Sequence, residues 1–250
     1  MQTAIIGAGV VGQALANVLD NPIIYDPPKG LNNLAKLNTA EIVFICVPTP
    51  YKGKCDISLV DKSISILEGN KIVVIKSTVI PGTTEKMQKK YPQHKIFFNP
   101  EFLTEKNAFE DMKNPDRQIV GYLGNEYELA KEILELLPKT SYNAIIGATT
   151  AEMIKYYTNC FLALKVAFAN QIYDLCEKMG IDYQEVKKGL VADKRIGKTH
   201  LDIFVEGKRG FGGKCFPKDT KALLKFSQQK KVELTILREA IKYNQKIWKE

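Results

Sequence analysis

The sequence predicts an α/β protein: a doubly wound, mostly parallel sheet over residues 1–147, then a long central helix and a small helical domain over residues 148–250. Three observations lead there. Short apolar runs rich in β-branched residues recur through the first 147 residues, too continuous for a sheet with one wet face. The first of these runs leads directly into a glycine-spaced turn and a segment of helical period. The texture then changes at Thr149, after which neither Gly nor Pro interrupts the chain until Met179 is passed.

Thr3-Ala4-Ile5-Ile6 reads as the first strand, and Gln13 to Leu19 has helical spacing. Between them, Gly7-Ala8-Gly9-Val10-Val11-Gly12 is G-x-G-x-x-G in the strand-to-helix context that the dinucleotide fingerprint requires. Gly7 makes the tight turn, Gly9 lets backbone approach a pyrophosphate, and Gly12 lets the helix pack on the strand. The N–H groups at the helix start, those of Val10 and Val11 among them, then face the phosphates. A second strand, Ile23-Ile24-Tyr25, ends at Asp26, nineteen residues after Gly7. A carboxylate there hydrogen-bonds a ribose 2′-OH and repels a 2′-phosphate, which favours NAD over NADP, with Lys29 nearby weighing the other way. This half is therefore expected to be a Rossmann-like NAD-binding domain.

Further strands are expected at Ile42–Val47, Ile72–Ile75, Ile96–Phe98, Ile119–Tyr122 and Ala144–Ile146, about seven with the first two, and crossover helices at 59–68 and 126–137. One long helix is expected over 149–179, where apolar residues recur at three and four and Gly180 supplies a C′ residue. Asp182 with Glu185 resembles a capping box for a helix from Tyr183 to about Val191. Residues 192–218 read as a Gly- and Lys-rich loop region, and helices follow from about 219 to 229 and from 233 to the end.

With 45% hydrophobic residues the chain can bury a core, and no run approaches the 18 apolar residues of a membrane span. With the first strand expected from the third residue, no signal peptide is expected. Five cysteines at 46, 55, 160, 176 and 215 show neither C-x-x-C nor a disulfide framework, which fits a reducing cytoplasm. With His94 and His200 the only histidines, no metal site is expected. The net charge of +8 comes from 36 cations, of which only four, at 117, 195, 209 and 238, are Arg. Such a field is either a solvated surface or an attractor of small anions. Without a recognition motif, a basic run longer than two residues or aromatic-basic interleaving, nucleic acid is not an expected partner.

The chemistry concentrates late, in Gly210-Phe211-Gly212-Gly213-Lys214-Cys215-Phe216-Pro217-Lys218-Asp219. Positive charge and a helix N-terminus favour a thiolate. Lys214 and Lys218 flank Cys215, and Asp219 is a plausible N-cap for the helix that follows. A lone cysteine is also, commonly, a small buried hydrophobe. Lys155 and Asn159, four apart, project from one face of the long helix.

Several motifs stand in one order: Pro48-Thr49-Pro50, Lys76-Ser77-Thr78-Val79-Ile80-Pro81-Gly82-Thr83, Asn99-Pro100-Glu101-Phe102-Leu103-Thr104-Glu105, Asn114-Pro115-Asp116-Arg117, Lys155 with Asn159, Asp193-Lys194-Arg195-Ile196-Gly197, and the Cys215 segment. This series resembles the UDP-glucose/GDP-mannose dehydrogenase family from residue 1 to about 245. The resemblance implies an NAD-dependent four-electron oxidation of a nucleotide sugar at C6, with UDP-glucose to UDP-glucuronate the expected conversion. It implies Cys215 as nucleophile, Asp219 with a water as proton-transfer partner, Lys155 as the cation that stabilises oxyanions, and Asn159 holding the same oxygen or water. Thr78 would position the water beside the nicotinamide, and Glu101 would act as base for thioester hydrolysis with Glu105 in support. Gly7, Gly9, Val10, Val11, Gly12, Asp26, Pro48, Thr49, Thr78, Glu105 and Lys218 would face the cofactor. Substrate contacts would come from Phe102, Leu103, Lys155, Asn159, Phe211, Gly212 and Phe216, and from Arg195 reaching a neighbouring subunit in a homodimer built on the 149–179 helix.

The sequence departs from the family in two places. The family's C-terminal α/β domain is expected to lack a counterpart in these 250 residues, and only fifteen residues separate Asp26 from Ile42, where the family has a longer insertion. Two other readings therefore stand beside the first: a non-catalytic NAD-binding or oligomerising protein, and a two-electron dehydrogenase of β-hydroxyacid type, which needs no thiol.

Overall fold

The computed structural model describes residues 1–248. It divides into two compact units, one formed by Met1–Pro50 and Cys55–Lys155, the other by Tyr51–Lys54 and the chain from Tyr156 on.

The first unit holds β1 (Thr3–Ile6), α1 (Val10–Ala16), β2 (Ile23–Tyr25), α2 (Leu34–Leu37), β3 (Ile42–Ile45), α3 (Ser58–Ser65), β4 (Ile72–Ile75), α4 (Thr83–Lys90), β5 (Lys95–Phe98), α5 (Ala108–Lys113), β6 (Arg117–Tyr122), α6 (Tyr127–Leu136), β7 (Tyr142–Gly147) and the first turns of α7 (Ala148–Met179). The strands form one sheet in the order β2-β1-β3-β4-β5-β6-β7. Every pairing is parallel except that of β5 with β6, so the last two strands run against the rest. Alternate residues of each strand leave opposite faces, and both faces are buried. Ala4, Ile6, Val43, Ile45, Val73, Ile75, Ile96 and Phe98 pack into one apolar layer. Ile5, Ile42, Phe44, Val74 and Phe97 pack into the other.

All seven expected strands form. Three helices that the sequence reading left unassigned, α2, α4 and α5, are short. α4 (TTEKMQKK) buries only Thr83, Thr84 and Met87, too little apolar surface for a periodic signal. Its buried start is capped from elsewhere: Glu152, wholly buried, accepts from the N–H groups of Gly82 (2.6 Å) and Thr84 (2.7 Å) and from the Thr84 hydroxyl (2.6 Å).

The second unit holds the remainder of α7, α8 (Tyr183–Leu190), the hairpin β8 (Phe204–Val205) and β9 (Lys208–Arg209), α9 (Phe216–Gln229) and α10 (Thr235–Ile247). Asp182 caps α8 by accepting from Gln184 N–H at 2.8 Å. Tyr183 and Cys176 pack with Ala169, Leu201 and Ile203 in a small core. Arg209 ties the hairpin to α7 through Asn170 and Asp174, and Tyr243 of α10 donates to the same aspartate. The stretch read as loop over 192–218 thus contains a hairpin. Its four strand residues are too few to register as alternation. The helix expected from 219 begins at Phe216, because Pro217 fits the first helical turn. Cys215, not Asp219, occupies the N-cap position.

Candidate active site

The order β2-β1-β3 puts the successive strands β2 and β3 on opposite sides of β1, and in such sheets ligands bind beyond the carboxyl ends of the strands at that switch. The glycine turn after β1 and Asp26 after β2 lie there, while Thr78 follows β4 and Glu105 follows β5. Gly7 leaves β1 with φ +98°, and a Cβ on it would come 2.6 Å from the Cys46 carbonyl oxygen that follows β3. A Cβ on Gly12 would meet the Gly7 carbonyl oxygen at 1.9 Å, so α1 packs on the turn only through glycine. Gly9 differs: nothing lies within 4 Å of a Cβ built there, and Gly9 and Val10 are exposed. The turn is therefore closed on the protein side and open where a pyrophosphate would approach. Asp26 follows β2, half-buried, and accepts from Ala8 N–H at 2.7 Å, while Lys29 donates to the Ala8 carbonyl. These residues fit a dinucleotide. Beyond β3, Pro48 is exposed and Thr49 is buried, its hydroxyl donating to the Thr78 carbonyl at 2.7 Å beyond β4.

Beyond β5, the turn Asn99-Pro100-Glu101-Phe102-Leu103 is held by charge. Glu101 accepts from Leu103 N–H at 2.8 Å and forms a 2.9 Å ion pair with Lys155, both side chains almost fully buried. Burial pushes the Glu101 carboxyl up, but the Lys155 ammonium, the Leu103 N–H and Lys76 outweigh it and hold it below the ordinary value. Two cations lie near the Phe102 ring, the Arg117 guanidinium 3.7 Å and the Lys155 ammonium 5.6 Å from its centroid. Glu105 is exposed in the turn before α5.

Sequence reasoning assigned no role to two of these supports. Lys76 is buried at the end of β4 and donates to Asn99 Oδ1 at 2.6 Å, and Asn99 Nδ2 donates to the Ile119 carbonyl at 2.8 Å. Burial holds the Lys76 ammonium below its usual range and pushes the nearby Cys46 thiol up to about 12. A lysine immediately after the buried run Ile72–Ile75 was the available signal. Arg117, in place as the first residue of β6, is the other.

In the second unit, Asp219 is wholly buried one turn into α9, its N–H bonded to the Cys215 carbonyl at 2.9 Å. Its carboxylate accepts from Asn159 Nδ2 at 2.7 Å and from the Lys218 ammonium at 2.5 Å. The structure thus brings Asn159, Lys218 and Asp219 together, in place of the expected N-cap. Cys215 is exposed at the head of the same helix. Phe211 and Phe216 meet edge to face, with centroids 6.5 Å apart. Arg195 stands apart from these residues. Its side chain is 88% exposed and pairs with Asp193. Among the described residues, no helix is long and apolar enough to cross a membrane, and no cluster of metal-ligating side chains forms.

Two family profiles match this chain: the UDP-glucose/GDP-mannose dehydrogenase family NAD binding domain over residues 31–138, and the central domain of the same family over 149–246. The first match starts beyond the glycine turn. The UDP-glucose 6-dehydrogenase of Rickettsia bellii is 40% identical over 221 residues, 84% of this chain and 50% of that protein. That of Rhizobium meliloti is 36% identical over 249 residues, 90% of this chain and 56% of that protein. The chain thus spans about half the length of the curated relatives it matches. A solved UDP-glucose dehydrogenase from Pyrobaculum islandicum superposes with a TM-score of 0.84 at 27% identity, covering 98% of this chain and 68% of that one. With both domain profiles matched in sequence along one chain and 40% identity to a curated relative over 221 residues, the chain belongs to the UDP-glucose/GDP-mannose dehydrogenase family.

Proposed function

We propose that the chain carries the catalytic machinery of an NAD-dependent four-electron oxidation of a nucleotide sugar at C6, with UDP-glucose the first candidate. Membership of the family supports the reaction class, and the buried Lys155–Glu101 pair carries the assignment to this chain's own residues. A surface lysine has no need to lie 3% exposed against a carboxylate; a cation held away from water is placed to stabilise alkoxide charge.

The four electrons require two NAD molecules bound one after the other at the glycine turn, each of which would supply the acceptor for one hydride. The protein's residues do the rest. Gly7, Gly9 and Gly12 with the amides of Val10 and Val11 would hold the pyrophosphate, and Asp26 the ribose. Thr78 would lie against the nicotinamide. Lys155 and Asn159 would stabilise the oxyanion formed as the C6 alcohol loses its proton. The Cys215 sulfur would add to the resulting aldehyde, keeping it from escaping between the two oxidations, and loss of the second hydride would leave a thioester. Glu101, ionised because Lys155 holds its carboxyl low, would accept a proton from the water that releases the carboxylate and regenerates the thiol. Asp219, with the polar residues bonded to it, would move the protons of the first step.

Tyr157, Phe161, Phe168, Leu175 and Met179 leave α7 exposed along its length in the second unit. A second copy of the chain is the occupant proposed for that face, and Arg195 would serve the partner's site.

The test is a panel of nucleotide sugars with NAD, counting NADH per acid formed. Two NADH per sugar with loss of acid formation in Cys215→Ser supports the reading. One NADH per sugar, or normal acid formation by Cys215→Ala, overturns it.

A further inference from the structure

The loop that leads to Cys215 is held by a segment outside the 210–219 motif. Asn244, buried on α10, accepts from Phe211 N–H at 2.7 Å and donates to the Phe211 carbonyl at 2.8 Å. One side chain thus satisfies both polar groups of a single residue, as a neighbouring strand would. One residue on, the indole of Trp248 lies against Gly212: a Cβ there would come 1.9 Å from a ring atom. The Lys208 ammonium sits 5.4 Å from the centre of that ring. On the other side of the thiol, Phe216 opens α9 and packs against both Phe211 and His200. The loop is pinned at Phe211 and at Phe216, and only Gly212, Gly213, Lys214 and Cys215 lie between.

We propose that Asn244 and Trp248 are positioning residues for Cys215: the end of α10 clamps the glycine loop and so restricts where the sulfur can be. The inference deepens the reading of Cys215 as nucleophile and rests on it for its catalytic meaning, but the clamp has consequences that do not need turnover. Two bonds to one buried backbone residue, once lost, open the loop locally while the rest of the unit stays folded.

The experiment compares the full chain with Asn244→Ala, Asn244→Asp and Gly212→Ala. Hydrogen exchange is followed across the peptide that spans Phe211. Labelling of Cys215 by iodoacetamide is followed by peptide mass, and the emission of Trp248, the sole tryptophan, is recorded. In Asn244→Ala, exchange at Phe211 and labelling of Cys215 both rise about tenfold, the equivalent of the lost bonds, while exchange within α7 is unchanged. Asn244→Asp keeps an acceptor for Phe211 N–H but sets a buried carboxylate oxygen against the Phe211 carbonyl in place of the donor, so exchange and labelling rise there too. If Asn244→Ala fails to fold, Asn244→Asp and Gly212→Ala carry the comparison, the latter with red-shifted Trp248 emission and the same rise in labelling. Unchanged labelling of Cys215 in every folded variant overturns the proposal, because the clamp would then not reach the sulfur. Absence of NADH formation by the unaltered chain would count against the catalytic reading and leave these three measurements standing.

Discussion

Lys155 and Glu101 are joined by a 2.9 Å ion pair in which the side chains are only 4% and 10% exposed. The cation assigned to oxyanion charge and the carboxylate assigned to proton acceptance are thus partners before any substrate arrives. Burying either alone is costly, and truncating one partner of such a pair leaves an uncompensated charge. Lys155→Met is therefore expected to lower unfolding free energy by about 3 kcal/mol. The double variant Lys155→Met/Glu101→Gln should lose clearly less. Urea unfolding of both singles and the double closes the cycle, and simple addition of the two single losses would show that the pair is not coupled.

The same pair sets an acid limit. Burial pushes the Glu101 carboxyl up, yet Lys155, Leu103 N–H and Lys76 hold it below its ordinary 4.5. A carboxyl depressed on folding contributes stability that is complete above the unfolded value and is lost as pH falls through the folded one. The unaltered chain should therefore lose stability more steeply than Glu101→Gln from 4.5 downward. Urea midpoints taken from neutral pH to about pH 3 measure this, and parallel curves for the two proteins would remove Glu101 from the account.

The strands were legible because each is a run of apolar, mostly β-branched residues buried on both faces, as in Ile42–Ile45 and Ile72–Ile75. α7 was legible because its apolar period continues for 32 residues. What escaped was fixed by partners distant in sequence. α4 is capped by Glu152, about seventy residues on, and nothing local in Gly82-Thr83-Thr84 announces a buried carboxylate. Asp219 read as an N-cap because a polar residue before Thr220-Lys221-Ala222 fits that position. The proline at 217 allows the helix to start earlier and turns Asp219 inward toward Asn159, sixty residues away. Local pattern carries elements; it does not carry the pairs between them.

The glycine turn separates packing from binding. Gly7→Ala and Gly12→Ala drive a Cβ against backbone at 2.6 Å and 1.9 Å, so both are expected to lower the melting temperature sharply. Gly9→Ala meets no protein atom and should fold normally while weakening NAD binding about tenfold or more, because the methyl group fills the space a pyrophosphate needs. Calorimetric titration with NAD alongside thermal unfolding distinguishes them. Normal NAD affinity in Gly9→Ala would place the dinucleotide elsewhere.

Phe168 and Tyr157 are exposed aromatic residues on α7. If a second copy covers this face, Phe168→Lys should convert a dimer into a monomer, with unfolding that no longer depends on protein concentration. Sedimentation velocity reads the mass directly. A monomer in the unaltered chain would remove both the homodimer and the role given to Arg195.

Asp219 allows structure and chemistry to be told apart at one position. Asp219→Ala strips the acceptor from the buried Asn159 amide and from Lys218 together, and should cost about 1–3 kcal/mol of stability. Asp219→Asn keeps the shape and can still accept from Asn159, but its own amide hydrogens then face the Lys218 ammonium, and the negative charge is gone. If Asp219 only holds α9 against α7, activity should follow folded fraction in both variants. If it moves protons, Asp219→Asn should remain largely folded and lose about 100-fold in kcat, with little change in KM for NAD. Circular dichroism fixes the folded fraction and NADH release the rate. A folded Asp219→Asn with normal kcat would make Asp219 a structural residue alone.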